Sequence, residues 1–265
     1  TRSTSSAASD VYKRQMSITG KDAKSPTRAG IPIGDLGSGL YSVIGILSAL
    51  YSREKTQKGQ HIDLSLLDVQ ISLLTYMATM QTLSGIDPEP IGNAHFVHVP
   101  YNSFSTSDGF VVIAVITDEF WKSLKSVVNV DSLDDPKFDS SIDRLKNQSF
   151  IENELNKTLS TQTSDHWIEK LNKAKVPCGP INKFSDALND EQVKHRNMIV
   201  EVEHPDGGFV KMPGNPVKMS YTNDESYSSP PHLGTNTREI LKNWSKYGED
   251  KIKDLEKENI IQSID

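Results

Sequence analysis

The sequence predicts an α/β protein, and three observations carry that class. Residues 40–83 read as helix, polar turn, strand and helix in succession, the pattern of an α/β layer. Two hairpin signals follow: Ser107-Asp108-Gly109 between residues 101–106 and 110–115, and Asp206-Gly207-Gly208 between 198–204 and 209–212. Between them, residues 131–174 are charged and helical in pattern. The expected organisation is a leader at 1–15, a large-domain segment at 16–90, a smaller α+β domain at 91–197, and a return to the large domain at 198–265.

Residues 1–15 are rich in Ser, Thr and Ala and lack an initiator Met or a hydrophobic period. They resemble translated adaptor sequence joined to a reading frame that starts near Met16; a transit peptide is disfavoured by Asp10 and the short length. Residues 26–34 form an extended lead-in, with Pro32 holding its neighbourhood out of helix. A helix follows over 40–51. Its apolar residues Leu40, Val43, Ile44, Ile46, Leu47 and Leu50 nearly surround it, as in a buried helix. Residues 61–66 alternate like a strand, and 67–83 return to a helical period through Val69, Leu73, Leu74, Met77 and Met80. Thr117-Asp118-Glu119 opens a helix over 120–128, its acids suited to the helix dipole. Asp135-Pro136 and Thr163-Ser164 break the charged helical stretch. Residues 237–246 and 250–261 read as amphipathic terminal helices.

Composition removes several classes of function. The 265 residues are 35% hydrophobic and 24% charged, with a net charge of −6. The basic residues are scattered, which argues against nucleic acid as the main partner, because phosphate neutralisation needs clustered Lys and Arg. Cys178 is the sole cysteine, so an intrachain disulfide and a Cys-based metal cluster are excluded; a reducing, cytoplasmic setting fits. No membrane span is expected, since the apolar run at 40–50 is short and broken by Ser42, Gly45 and Ser48.

The run Ile31-Pro32-Ile33-Gly34-Asp35-Leu36-Gly37-Ser38-Gly39 is the most informative stretch. Glycines before a helix invite a phosphate-loop reading. Their spacing is not the dinucleotide fingerprint, no buried strand precedes them, and Asp35 would repel phosphate. Asp35 is then either a helix cap or a nucleophile, because a carboxylate at a helix N-terminus is favoured as the anion. His95 and His98 have a His-x-x-His spacing without a third ligand beside them, so no metal site is expected. Ser38 and Ser65 lack a nucleophile elbow. Cys178, set in Val176-Pro177-Cys178-Gly179-Pro180-Ile181, reads as part of a structural turn.

A collinear set of motifs goes further. It comprises Met16-Ser17-Ile18-Thr19-Gly20, Ile33-Gly34-Asp35-Leu36-Gly37-Ser38-Gly39-Leu40, Ile44-Gly45-Ile46-Leu47-Ser48-Ala49-Leu50 and Lys58-Gly59-Gln60-His61-Ile62-Asp63. Farther on lie Gly92-Asn93-Ala94-His95, Pro100-Tyr101, the Cys178 run and Pro213-Gly214-Asn215-Pro216-Val217. Together they resemble the class III, CaiB/BaiF-like CoA-transferases, which include formyl-CoA transferase, succinyl-CoA-dependent dicarboxylate CoA-transferases and α-methylacyl-CoA racemase.

The resemblance implies the remnant of a Rossmann-like large domain plus a smaller α+β domain, within an interlocked homodimer. It implies a CoA thioester and a small carboxylic acid as substrates, with no permanently bound cofactor. Asp35 falls on the family's nucleophile, with Gly34 beside it. Gly92, Asn93, Ala94 and His95 fall on the loop near the acyl group; this loop is not the glycine run of formyl-CoA transferase, which weakens an oxalate or formyl substrate. The racemase branch uses a His, an Asp and a Glu. The Glu position falls near Thr117, next to Asp118 and Glu119, and the upstream His would precede Met16, so racemisation is disfavoured. Relatives begin with a further half-domain carrying most contacts to the CoA nucleotide, so an N-terminally truncated member is expected, with an inactive fragment acting as an interaction module as the alternative.

Overall fold

The computed structural model describes residues 15–222 and 226–263. The expected leader lies outside them except for its last residue. The described chain divides into two compact units, one running through Ile181 and the other from Asn182 onward. The class is mixed α/β, and every strand ladder among the described residues is antiparallel.

The first unit begins with three helices, α1 (Ile33–Thr56), α2 (Leu66–Leu73) and α3 (Thr75–Ser84). α1 starts at Ile33 rather than 40 and ends at Thr56 rather than 51, so it has 24 residues. It is also not the buried helix expected. Only Gly34, Gly37 and Ser38 are buried on it, whereas Leu40 is 66% and Leu47 60% exposed. An apolar circumference needs cover on several sides, and within this unit α2 covers one stripe. Gly37 makes that stripe possible, because a Cβ there would lie 2.9 Å from Leu73 Cδ1 and 3.4 Å from Val69 Cγ1. At its full extent α1 is long and apolar enough to cross a bilayer, which the shorter expected helix was not.

Two further expectations need correction here. Residues 61–65 form no ladder with any described strand; Ser65 caps α2 instead, its Oγ accepting the Asp68 N–H at 3.1 Å. An alternating segment becomes a strand only where a neighbour pairs its backbone groups. The single helix expected over 67–83 is interrupted between α2 and α3, where Thr75 adopts φ +50°.

The hairpin around Asp108 forms as expected, from β1 (Tyr101–Ser105) and β2 (Phe110–Ala114). Cys178 is not in a turn but opens β3 (Cys178–Pro180), which pairs with β2 and completes a sheet of order β1-β2-β3. The interrupted pattern around it conceals a strand because only three residues pair. Four helices lie in the chain between β2 and β3: α4 (Asp118–Val128), α5 (Ser141–Lys146), α6 (Gln148–Leu159) and α7 (Ser164–Lys173). Trp121, Leu124 and Val128, then Ile151, Leu155 and Leu159, then Trp167 and Leu171, recur at helical spacing and close one core with Phe104, Val111 and Ile113. Each such buried side chain contributes roughly 1.5–3 kcal/mol.

The breaks at Asp135-Pro136 and Thr163-Ser164 are realised. Short 3-10 turns, Asp131–Leu133 and Pro136–Phe138, occupy the first, and Thr163 caps α7 at the second. Asp108 ties the hairpin turn to that cap. It accepts the Ser164 N–H at 2.8 Å and the Ser164 and Thr106 hydroxyls at 3.0 Å each, and these bonds hold its carboxyl below the usual carboxylate range.

The second unit contains α8 (Phe184–Asn189), α9 (Glu191–His195), β4 (Ile199–Glu203), β5 (Phe209–Pro213), α10 (Thr237–Asn243) and α11 (Glu249–Lys257). β4 and β5 make the second expected hairpin, with Gly207 and Gly208 at φ +92° and +82° supplying its turn. α10 and α11 are shorter than the patterns at 237–246 and 250–261. Arg238 joins them through Glu249 at 3.4 Å and Glu256 at 2.5 Å.

Candidate active site

Asp35 is the third residue of α1 and not its cap. Pro32 occupies the N-cap without a side-chain bond, and the Leu36 N–H reaches the Pro32 carbonyl at 3.0 Å. Proline suits a helix start because its ring fixes φ and its missing N–H is not needed there. The Asp35 carboxylate is therefore exposed on the first turn, where helix N–H groups have no partner within the helix. Gly34 beside it is buried, and its carbonyl accepts the Ser38 hydroxyl at 2.7 Å. One turn on, a Cβ at Gly39 would meet nothing within 4 Å. Residues 35 and 39 share a helix face. Asp35 thus stands beside a bare turn, open to a bulky group.

The second cluster is the loop before β1. Gly92 has φ +66° and its N–H donates to the Gly20 carbonyl at 2.8 Å. Asn93 Nδ2 donates to Ser103 Oγ at 2.9 Å, and the His95 N–H to the Tyr101 carbonyl at 3.1 Å. The His95 ring stacks on Phe96 and Tyr101, with centroids 4.7 and 5.2 Å away, and the His98 ring is 4.7 Å off. Burial, and then the charge of His98, push the His95 pKa below its ordinary value. Gly92, Ala94 and Phe96 line a cavity of about 570 Å³ with Tyr76, Met77 and Met80.

The loop residues Gly92, Asn93, Ala94 and His95 are brought together, while Asp35 and Gly34 sit on a different element. No hydrogen bond or ion pair joins Asp35 to the loop among the described residues. A chain of packing does connect the two places: Gly37 faces Leu73 at the end of α2, and Tyr76 at the start of α3 lies 5.6 Å from Phe96. The sequence reading missed Phe96 and Arg144, and it had Tyr101 only as part of the Pro100-Tyr101 motif; all three help to hold the loop. Aromatic residues close to His95 were the available signal.

Two other positions have structural occupations. Thr117 caps α4, accepting the Phe120 N–H at 3.3 Å, and the Asp118 carboxylate pairs with buried Arg144 at 2.7 Å. Among the described residues no three His, Cys, Asp or Glu side chains gather as metal ligands.

Residues 10–237 match CoA-transferase family III. The chain belongs to this family. It is 31% identical over 248 residues to the succinyl-CoA:glutarate CoA-transferase of Mus musculus, an alignment covering 93% of this chain and 57% of that protein. It is 37% identical over 211 residues to the acetyl-CoA:oxalate CoA-transferase of Acetobacter aceti, covering 79% and 53%. Among solved structures, a CaiB/BaiF family protein from Brucella suis superposes with a TM-score of 0.70 at 33% identity, over 82% of this chain and 56% of that one. Rv3272 from Mycobacterium tuberculosis, at 17% identity and a TM-score of 0.71, shares the fold. This family III chain spans about half the length of the curated relatives it matches.

Proposed function

We propose that this chain carries the nucleophile of a CoA-transferase, moving CoA from an acyl-CoA donor to a small carboxylic acid. The observation that carries the reading is Asp35, an exposed carboxylate on a first helical turn with the open position Gly39 one turn on, at the place where the resemblance puts the family's nucleophile. An Asp35 oxygen attacks the thioester carbonyl and expels CoA thiolate, leaving an acyl-aspartyl anhydride. The thiolate then attacks Asp35 Cγ, releasing the donor acid as its carboxylate and forming an aspartyl-CoA thioester. The acceptor carboxylate attacks that thioester, and the two steps run in reverse to give the new acyl-CoA and free Asp35. Covalent catalysis of this kind replaces one hard exchange by easier ones.

The names of similar proteins favour succinyl-CoA or another dicarboxyl-CoA as donor, with succinyl-CoA:glutarate and succinyl-CoA:mesaconate transferases among them. CoA thioester is a substrate in this scheme, and no resident cofactor takes part. The acid–base alternative of the racemase branch gains nothing from Thr117 and Asp118, whose oxygen atoms already serve a cap and an ion pair. The rest of the reading is a cytoplasmic homodimer without nucleic-acid or membrane partners. The net charge of −6 and the single cysteine support it, as do Ser38, Ser42, Gly45 and Ser48 along α1.

The deciding experiment follows labelled succinate into succinyl-CoA. Asp35→Ala is expected to abolish exchange, and hydroxylamine to trap the wild-type intermediate at residue 35. Undiminished exchange in the variant would remove Asp35 from the mechanism.

A further inference from the structure

Gln70 is fully buried on α2, and neither Oε1 nor Nε2 of its amide has a hydrogen-bond partner in the protein. Among the described residues no other buried side chain has two unpartnered polar atoms. A buried amide without partners forfeits its hydration at both atoms, so an apolar side chain of the same length would serve stability better. Packing alone does not account for a glutamine here. Its place on α2 points to another role. Val69 and Leu73 face Gly37 of α1, and the hydroxyl oxygens of Ser72 and Tyr41 lie 3.2 Å apart, Tyr41 being one turn beyond Gly37. At about 100° per residue, Ser72 and Gln70 flank the Val69–Leu73 stripe on opposite sides. The Ser72 side runs toward the C-terminal end of α1, so the Gln70 side runs back from Gly37 toward Gly34, which is buried. That is the turn that carries Asp35. The Gly34 and Asp35 N–H groups make no hydrogen bond among the described residues, as first-turn donors have no partner within their own helix.

We infer that Gln70 is a positioning residue for Asp35, its Oε1 accepting the first-turn N–H groups while Asp35 is acylated, an assignment that rests on the CoA-transfer reading above. As a free anion, Asp35 is itself the negative charge that the start of a helix favours. In the anhydride and in the aspartyl thioester that charge is gone, and the first-turn donors lose it. A neutral acceptor from α2 then takes over and keeps the turn in shape for the attack that follows. The side-chain torsions of glutamine let the amide be re-aimed while the α2 backbone stays where Gly37 seats it. The unpaired amide of the free enzyme and the paired amide of the acyl-enzyme are two positions of one side chain.

Asp35→Asn imitates the acylated state, since it removes the charge and keeps the shape. Gln70→Met keeps the length of the side chain and removes the amide. In the Asp35→Asn protein, Gln70→Met should speed deuterium exchange of the residue 34 and 35 amide protons about fivefold, the effect of one neutral hydrogen bond. Beside the free Asp35 carboxylate the same substitution should leave that exchange unchanged. In the labelled-succinate assay Gln70→Met should lower kcat about fivefold with no rise in KM, while its urea midpoint stays at or above that of the wild type. Gln70→Glu should recover most of the kcat, because burial keeps its carboxyl neutral and its carbonyl remains an acceptor. Exchange indifferent to Gln70 in the Asp35→Asn protein, a kcat untouched in Gln70→Met, or a urea midpoint lowered by it would each overturn the assignment. The amide exchange is read without turnover. A protein that moves no CoA, yet shows exchange that depends on Gln70 only when residue 35 is neutral, would refute the transfer reading while upholding the link between Gln70 and the first turn of α1.

Discussion

Arg144 is 2% exposed, yet each of its guanidinium nitrogens is bonded. Nε meets Val99, Nη1 meets the carbonyls of Phe138 and Asp139 at 3.0 and 2.8 Å, and Nη2 meets Asp118. A buried charge is tolerable only when paired and hydrogen-bonded, and this one makes four hydrogen bonds, one of them to a carboxylate. Arg144→Met would leave three carbonyls and a carboxylate without their donor, and should destabilise the protein by about 3–5 kcal/mol in urea unfolding. Asp118→Asn keeps an acceptor at Oδ1 and should cost clearly less. Equal losses would mean that the ion pair, and not the carbonyl bonds, dominates. Sequence reading could not find this residue. An arginine in a charged helical stretch looks like any solvated one, and its partners lie far apart in the chain, at residues 99, 118, 138 and 139.

Among the elements, the hairpins and the apolar stripes of α4, α6 and α7 were legible, because turn residues and helical periodicity are local signals. The boundary between α2 and α3 was not. No Gly or Pro marks it, and the period runs through it unbroken. The break belongs to tertiary packing: Leu73 turns to Gly37 while Tyr76 turns to Phe96. Its cost falls on Thr75, a β-branched residue at φ +50°, a conformation worth of order 1–3 kcal/mol in strain. Thr75→Asn, better suited to a left-handed backbone, should raise the melting temperature, with a gain of about 1 kcal/mol. A fall would show that the threonine side chain contributes more than its backbone loses. Asp35 was singled out by its motif, but the helix around it starts several residues earlier than its apolar pattern, since that start is set by backbone geometry at Pro32 and not by the favoured capping residue.

At the scale of the molecule, α1 presents Leu40, Ile44 and Leu47 on one face, all more than half exposed. On the proposed homodimer reading, this exposed apolar face is the one an interface would cover. With the proposed homodimer, Ile44→Asp combined with Leu47→Asp should convert a dimer to a monomer in light scattering while leaving the far-ultraviolet circular dichroism intact. A wild-type monomer, or a dimer that survives both charges, would remove α1 from the interface. The apolar pattern led to the expectation of a buried helix, and within this unit the helix is largely exposed. Periodicity cannot say whether the cover comes from the same chain.

The core closed by the β1-β2-β3 sheet and its helices draws its buried residues from Val99 to Val176 alone. That arrangement makes it a cooperative unit in its own right. Its backbone amides should be among the slowest in the protein to exchange with solvent deuterium, whereas those of α1 would be guarded only as well as the surface laid against it. The loop that carries His95 runs into this block at Val99, whereas Asp35, the proposed nucleophile, rides on the element whose order depends most on company.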